Sequence, residues 1–190
     1  MLRISDDEVD IQHWRGLSAN LQPGKVADRY LTEEDCEEVL FQTIWKLGYR
    51  CPKCDFEGDI WIIKTRRKYE CPNCRHQYTG RSVSQMYGKR ASLLGCFKGA
   101  EFIIETMAGN KPHIQTISRF AKLVGLSYRP ARTLRLEMFE ELKKPMGGFW
   151  GSLLCNEDFD EYLYNGDRLE DLLNYYDFED LKDSSLKFGK

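Results

Sequence analysis

Two short motifs, Cys51-Pro-Lys-Cys54 and Cys71-Pro-Asn-Cys74, separated by residues 55–70, decide how this chain is read. Each Cys-x-x-Cys turn lets two thiolates approach one ion. Two such turns on neighbouring hairpin ends complete a tetrahedral shell of four sulfurs, which leaves no position for substrate and so describes a structural rather than a catalytic metal. The motifs therefore assign one structural Zn2+ to Cys51, Cys54, Cys71 and Cys74. Between them, Asp59-Ile-Trp-Ile-Ile63 is rich in β-branched and aromatic residues and Lys64-Thr-Arg-Arg-Lys-Tyr69 is basic. That pattern predicts two short strands with a charged face, making the unit a zinc ribbon. His76 is an alternative ligand, but four thiolates already fill the shell.

The chain has seven cysteines, an odd number that fits a closed disulfide framework badly. Residues 1–10 are acidic and show no basic-then-apolar leader, so a cytoplasmic, nucleoid-associated location with reduced thiols is expected. Cys36 and Cys96 fall at apolar positions of helical patterns and Cys155 follows Leu153 and Leu154. All three read as small buried hydrophobes.

Working outward, Thr32-Glu-Glu-Asp35 resembles a capping box. Cys36, Val39, Leu40, Ile44 and Leu47 follow at helical spacing until Gly48, so a helix leads into the first knuckle. Beyond the second knuckle, Leu93, Leu94, Cys96, Phe97, Ala100, Ile103, Ile104 and Met107 trace the apolar stripe of another helix. Thr116 caps a short helix with Ile117, Phe120, Ala121 and Val124 inward, Gly125-Leu-Ser127 makes a turn, and a longer helix runs from about Tyr128 to Lys144. The predicted class is mainly α with a small β zinc ribbon (α+β). Its parts are an acidic segment (1–30), a helix with the ribbon (31–90), a helix-turn-helix bundle (91–145) and an acidic tail with a short helix (146–190).

Charge divides the chain the same way. Of its 190 residues, 1–45 carry 4 Lys/Arg against 10 Asp/Glu, 46–145 carry 20 against 9, and 146–190 carry 4 against 11. A basic middle between acidic ends has the electrostatic footprint of a polyanion binder, hidden by an overall charge of -2. The hydrophobic share of 42% supports a folded core, and no apolar run is long enough to span a membrane.

Two helices joined by a short turn with glycine give the helix-turn-helix outline. On the second, Ala131, Leu134, Met138 and Leu142 share a face that must be buried, which turns Arg129 and Thr133 away and leaves Arg132 on the flank. Such a helix presents its first turns to the major groove, where arginine reads guanine through two hydrogen bonds. Pro130 is compatible, because a first-turn residue has no intrahelical N–H bond to lose. The candidate double-stranded DNA contacts are Tyr128, Arg129, Arg132, Thr133 and Arg135, with Arg119 and Lys122 on the first helix and Lys64, Arg66, Arg67 and Lys68 in the ribbon. Arg81, Lys89 and Arg90 add to the basic surface between them. The alternative is a plain three-helix bundle whose arginines are merely solvated.

The runs Leu31-Thr-Glu-Glu-Asp-Cys36, Gly48-Tyr-Arg-Cys-Pro-Lys-Cys54 and Tyr69-Glu-Cys-Pro-Asn-Cys74-Arg-His-Gln-Tyr78, with Leu40 and Trp45, resemble the zinc-ribbon N-terminal domain of bacterial insertion-sequence (DDE) transposases. Leu93, Phe97 and Phe120-Ala-Lys-Leu-Val-Gly-Leu-Ser-Tyr128 resemble the helix-turn-helix that follows it there. The resemblance spans residues 20–145 and implies a module that recognises element ends. Pro130 and Cys96 depart from the family pattern.

In the resembled transposases a two-metal catalytic domain comes next. Here 45 residues follow Pro145, and Asp160 in Asp158-Phe-Asp-Glu161 is at most a relic of one carboxylate. No catalytic residue is expected. The sequence thus predicts a non-catalytic, transposase-derived DNA-binding protein, a transcription regulator. The alternatives are the DNA-binding piece of a split or degenerate transposase acting with a catalytic partner, and a zinc-ribbon adaptor whose acidic ends dock on RNA polymerase or another protein. Those ends could also fold back on the basic middle. A homodimer would have to form through the N-terminal region or the acidic tail.

Overall fold

The computed structural model describes residues 6–46, 50–66, 68–109 and 116–156. Its organising element is α4 (Leu93–Ala108), whose Leu93, Cys96, Phe97, Ala100, Ile103 and Ile104 are all buried. The predicted stripe is thus the centre of the core. Around it pack α1 (Asp6–Ala19), the short α2 (Val26–Arg29), α3 (Glu33–Lys46), α5 (Ile117–Val124), α6 (Tyr128–Leu142) and α7 (Gly148–Leu154). The sheet is small: β1 (Trp61–Ile63), β2 (Lys68–Glu70) and β3 (Gln77–Tyr78), antiparallel in the order β1-β2-β3. The protein is mostly helical with a three-stranded ribbon inserted between α3 and α4.

Helix ends follow the chemistry of their capping residues. Asp35 N–H donates to Thr32 Oγ1 at 3.1 Å, while the Asp35 carboxylate accepts the N–H groups of Leu31 and Thr32, completing the reciprocal box. Those donors hold the Asp35 carboxyl below its usual range. Ser92 caps α4 by accepting the Gly95 N–H, and Thr116 caps α5 by accepting that of Arg119. A second carboxylate reinforces α4: Glu33 on α3 accepts the N–H groups of Leu93 at 2.7 Å and Leu94 at 3.2 Å. An anion there offsets the positive end of the helix dipole and ties α3 to α4.

Gly95 and Gly99 on α4 permit a very close approach by α5. A Cβ on Gly95 would lie 1.8 Å from the Leu123 carbonyl oxygen, and one on Gly99 would lie 2.8 Å from the Phe120 ring. α5 therefore rests almost directly on the α4 backbone.

Several boundaries differ from those predicted. α6 ends at Leu142, after which a 3-10 turn (Pro145–Gly147) reverses the chain into α7. Trp150, Leu153, Leu154 and Cys155 enter the core, so residues 145–156 belong to the helical body rather than to an acidic tail. All eleven acids counted in 146–190 lie from Glu157 onward, and the summed charge concealed the apolar run before them. Likewise, residues 1–30 are more than an acidic segment: Trp14, Leu17, Val26 and Tyr30 are buried, and Trp14 stacks on Phe139 of α6. Leu21 bridges to Cys155 and Asn156 N–H donates to the Asn20 carbonyl, fastening the two ends of the body together. Cys36, Cys96 and Cys155 are buried as expected, and burial pushes their thiols up to about 12. Asp160 and the predicted tail helix lie outside the described residues, as do Leu47 and Gly48.

The basic run predicted as a second strand is divided. Lys64–Arg66 forms a 3-10 turn, Arg67 is outside the described residues, and only Lys68–Glu70 is extended. Trp61 pairs with Glu70 and Ile63 with Lys68, so β1 and β2 form an antiparallel hairpin with the Lys64–Arg66 turn at its end.

Candidate metal centre and nucleic-acid face

The two knuckles are built alike. Cys51 N–H donates to the Phe56 carbonyl and its own carbonyl accepts from Asp55 N–H; Cys71 N–H donates to the His76 carbonyl and its carbonyl accepts from Arg75 N–H. Asp55 and Arg75, each directly after the second cysteine, take positive φ of 56° and 60°. That left-handed step folds each turn tightly enough to aim both thiols at one point. The Sγ–Sγ separations are 3.7 Å for Cys51 and Cys74 and 3.6 Å for Cys54 and Cys71, and all four sulfurs lie within 4.8 Å of one another.

With Zn–S bonds of about 2.3 Å, a tetrahedron has edges of about 3.8 Å, so the four sulfurs fit zinc. Burial opposes charge on Cys54, yet hydrogen bonds from Cys74, the Phe56 backbone, Asn73 and Cys71 draw its thiol down to about 6. Cys74 is pushed up to about 12, by burial first and then by its neighbouring sulfurs. Four thiolates at these separations repel one another, and a divalent cation allows all four to be ionised together. Asn73 Nδ2 faces Cys54 Sγ at 3.6 Å, an N–H···S contact that the spacing of the cysteines alone could not reveal. His76 is not among the clustered ligands.

The ribbon leans on α3 through aromatic rings. Phe41 stacks face to face on Tyr69, Tyr78 lies beside both, and the Tyr69 hydroxyl donates to Glu38 at 3.1 Å. Gly80 then passes so close to α3 that a Cβ would lie 3.1 Å from the Glu37 carbonyl oxygen. Helix and ribbon are therefore one packed unit. Residues 31–77 match the family described as transposase zinc-ribbon domain. The matched span begins at the capping box and ends in β3, so it takes in this same helix-plus-ribbon unit. No curated protein matches the chain, and no solved structure does.

The remaining predicted contacts fall on two surfaces. On α6, Ala131, Leu134, Met138 and Leu142 are buried, and Tyr128, Arg129, Arg132 and Thr133 are exposed over its first two turns. Arg135 is half-buried at the edge of the packed stripe rather than on the outward face. The turn before α6 is set by Gly125 at φ 67°, whose N–H, like that of Leu126, donates to the Ala121 carbonyl. Ser92 N–H in turn donates to the Val124 carbonyl, anchoring this turn to the start of α4. Arg119 and Lys122 on α5 are exposed, with the Arg119 guanidinium over the Phe102 ring. A groove beside α6, lined by Lys89, Arg90, Leu126, Pro130, Thr133 and Glu137, brings two of the linking cations next to Thr133. Lys89 is paired there with Glu137.

In the ribbon, Arg66 and Lys68 are exposed and Lys64 sits in the 3-10 turn. Arg81, counted as part of the basic surface, has another task. Its guanidinium donates to the carbonyls of Ala91 at 2.7 Å and Lys89 at 3.2 Å and pairs with Glu33, so it braces the junction of ribbon and bundle. Glu33 is the residue that sequence reasoning missed. Its only signal was membership of the capping box, which predicts a local bond instead of a contact some sixty residues away. No described helix is long and apolar enough to cross a membrane.

Proposed function

We propose that this is a non-catalytic, transposase-derived DNA-binding protein, a transcription regulator in which zinc fixes the ribbon and the first turns of α6 read duplex DNA. The observation that carries the reading is the division of α6: its apolar stripe is fully used in packing, leaving Tyr128, Arg129, Arg132 and Thr133 projecting together at the N-terminal end. A helix held by α5 and a three-residue turn, with cations and a hydroxyl on its leading face, matches what a recognition helix requires. The match of residues 31–77 to a transposase zinc-ribbon domain independently supports a transposase-related nucleic-acid-binding role.

Phosphate contacts and base contacts respond differently to mutation. Arg132→Ala is expected to cost about 1–3 kcal/mol on the preferred duplex and to relax discrimination at particular base pairs. Lys122→Ala should weaken all duplexes alike and reduce the salt dependence of binding. Titrations of matched and scrambled duplexes at several salt concentrations separate the two, and an Arg132→Ala protein with unaltered selectivity would contradict the assignment. The transposase match also motivates a second reading, in which the chain delivers a catalytic partner to element ends. Magnesium-dependent cleavage of inverted repeats, seen only when such a partner is added, would favour it.

A further inference from the structure

The outer face of the ribbon carries an exposed aromatic ring, Trp61, that the fold does not bury. Trp61 and Ile63 of β1 pair with Glu70 and Lys68 of β2, and Glu70 pairs with Gln77 of β3, so these side chains share one side of the sheet. Ile62, Tyr69 and Tyr78 take the other side, where Tyr69 and Tyr78 pack on Phe41. On the outer side Trp61 is 47% exposed, whereas Trp14 and Trp150 are at most 2% exposed. Trp61 is also held in place. The Arg75 guanidinium lies 4.2 Å from the centre of its ring and is itself fixed by Glu70 at 3.1 Å. Gln77 donates to the same carboxylate at 2.8 Å, so Glu70 is engaged by two donors. Arg66 and Lys68 are exposed nearby.

We propose that this face is a stacking platform for unpaired nucleotides, with an exposed base laid on Trp61 and the strand's phosphates drawn to Arg66, Lys68 and Arg75. The inference deepens the nucleic-acid reading above and rests on it. The occupant follows from two properties of the face. Its exposed cations call for an anion, and a ring already stacked against a guanidinium is suited to a flat π-system. An intact duplex offers no such partner, because the faces of its bases are covered by their neighbours. Unpaired bases present their faces freely and stack on aromatic side chains with little regard to sequence. The protein would then hold duplex on α6 and an opened strand on the ribbon.

The test measures binding of fluorescently labelled oligothymidylate and of the preferred duplex by the zinc-loaded full chain, its Trp61→Ala and Trp61→Phe variants, and Arg132→Ala. Trp61→Ala should weaken single-strand binding about tenfold, with Trp61→Phe largely restored and duplex affinity unchanged. Arg132→Ala should do the reverse. Equal zinc content in the variants excludes loss of the ribbon as the cause. Wild-type protein that does not bind oligothymidylate, single-strand binding indifferent to Trp61→Ala, or an equal loss on duplex would each overturn the proposal. Trp61-dependent single-strand binding without any duplex binding would uphold it and remove the α6 reading instead.

Discussion

Removing zinc with a strong chelator, or replacing one ligand as in Cys71→Ser, is expected to unfold the ribbon and leave the helical body standing. The buried apolar cluster of the ribbon consists of Phe41, Cys51, Tyr69, Cys71 and Tyr78, and two of those five belong to the four-cysteine cluster that fits the metal. So small a core cannot offset the entropy of ordering residues 50–80. Structural zinc contributes an apparent ~10–16 kcal/mol in small modules, far more than such a core supplies. The body around α4 has its own larger cluster, from Trp14 to Cys155, in which no ligand takes part. Amide exchange should therefore show the β2 and β3 amides losing protection while those of α4 keep it, and elemental analysis should find one zinc per chain released. Unchanged protection in the sheet after complete removal of the metal would contradict a structural zinc.

The second large effect is expected at Gly95. In an open helix Gly→Ala stabilises by up to ~1 kcal/mol, because alanine is the better helix former. Here the added methyl would meet the Leu123 carbonyl oxygen at 1.8 Å, and this neighbour is backbone that cannot swing aside. Gly95→Ala should therefore destabilise, by about 1–3 kcal/mol or somewhat more. At this chain length that is a fall in Tm of roughly 2–12 °C. Relief of the clash moves α5 off α4, and the Ser92 to Val124 bond that anchors the turn before α6 is lost with it. Duplex binding should consequently fall more than the fraction folded does. A Tm at or above that of the unmodified protein would show that α5 does not sit where the structure places it.

The parts of the fold legible in the sequence were those written in local pattern. Paired knuckles, the Thr32–Asp35 box, the α4 stripe and Gly125 in its turn each announce themselves within a few residues. What could not be read depends on contacts between distant segments. Glu33 caps a helix some sixty residues away, Arg81 is engaged by carbonyls brought near only by folding, and Trp61 is stacked by Arg75 from the second knuckle. Charge summed over long windows also misled. Averaging 146–190 merged the uncharged Met146-Gly-Gly-Phe-Trp-Gly-Ser-Leu-Leu-Cys-Asn156, most of which packs in the body, with the acids beyond it. In the candidate site, the α6 stripe was recoverable from spacing because burial of one helical face fixes what the opposite face presents.

The most direct test of the central claim is selection of bound sequences from a random duplex library by the zinc-loaded protein at physiological salt. A discrete enriched motif is expected, with the Arg132→Ala protein losing preference at particular positions within it. Retention of duplexes without enrichment, or no retention at all, would contradict a sequence reader on α6.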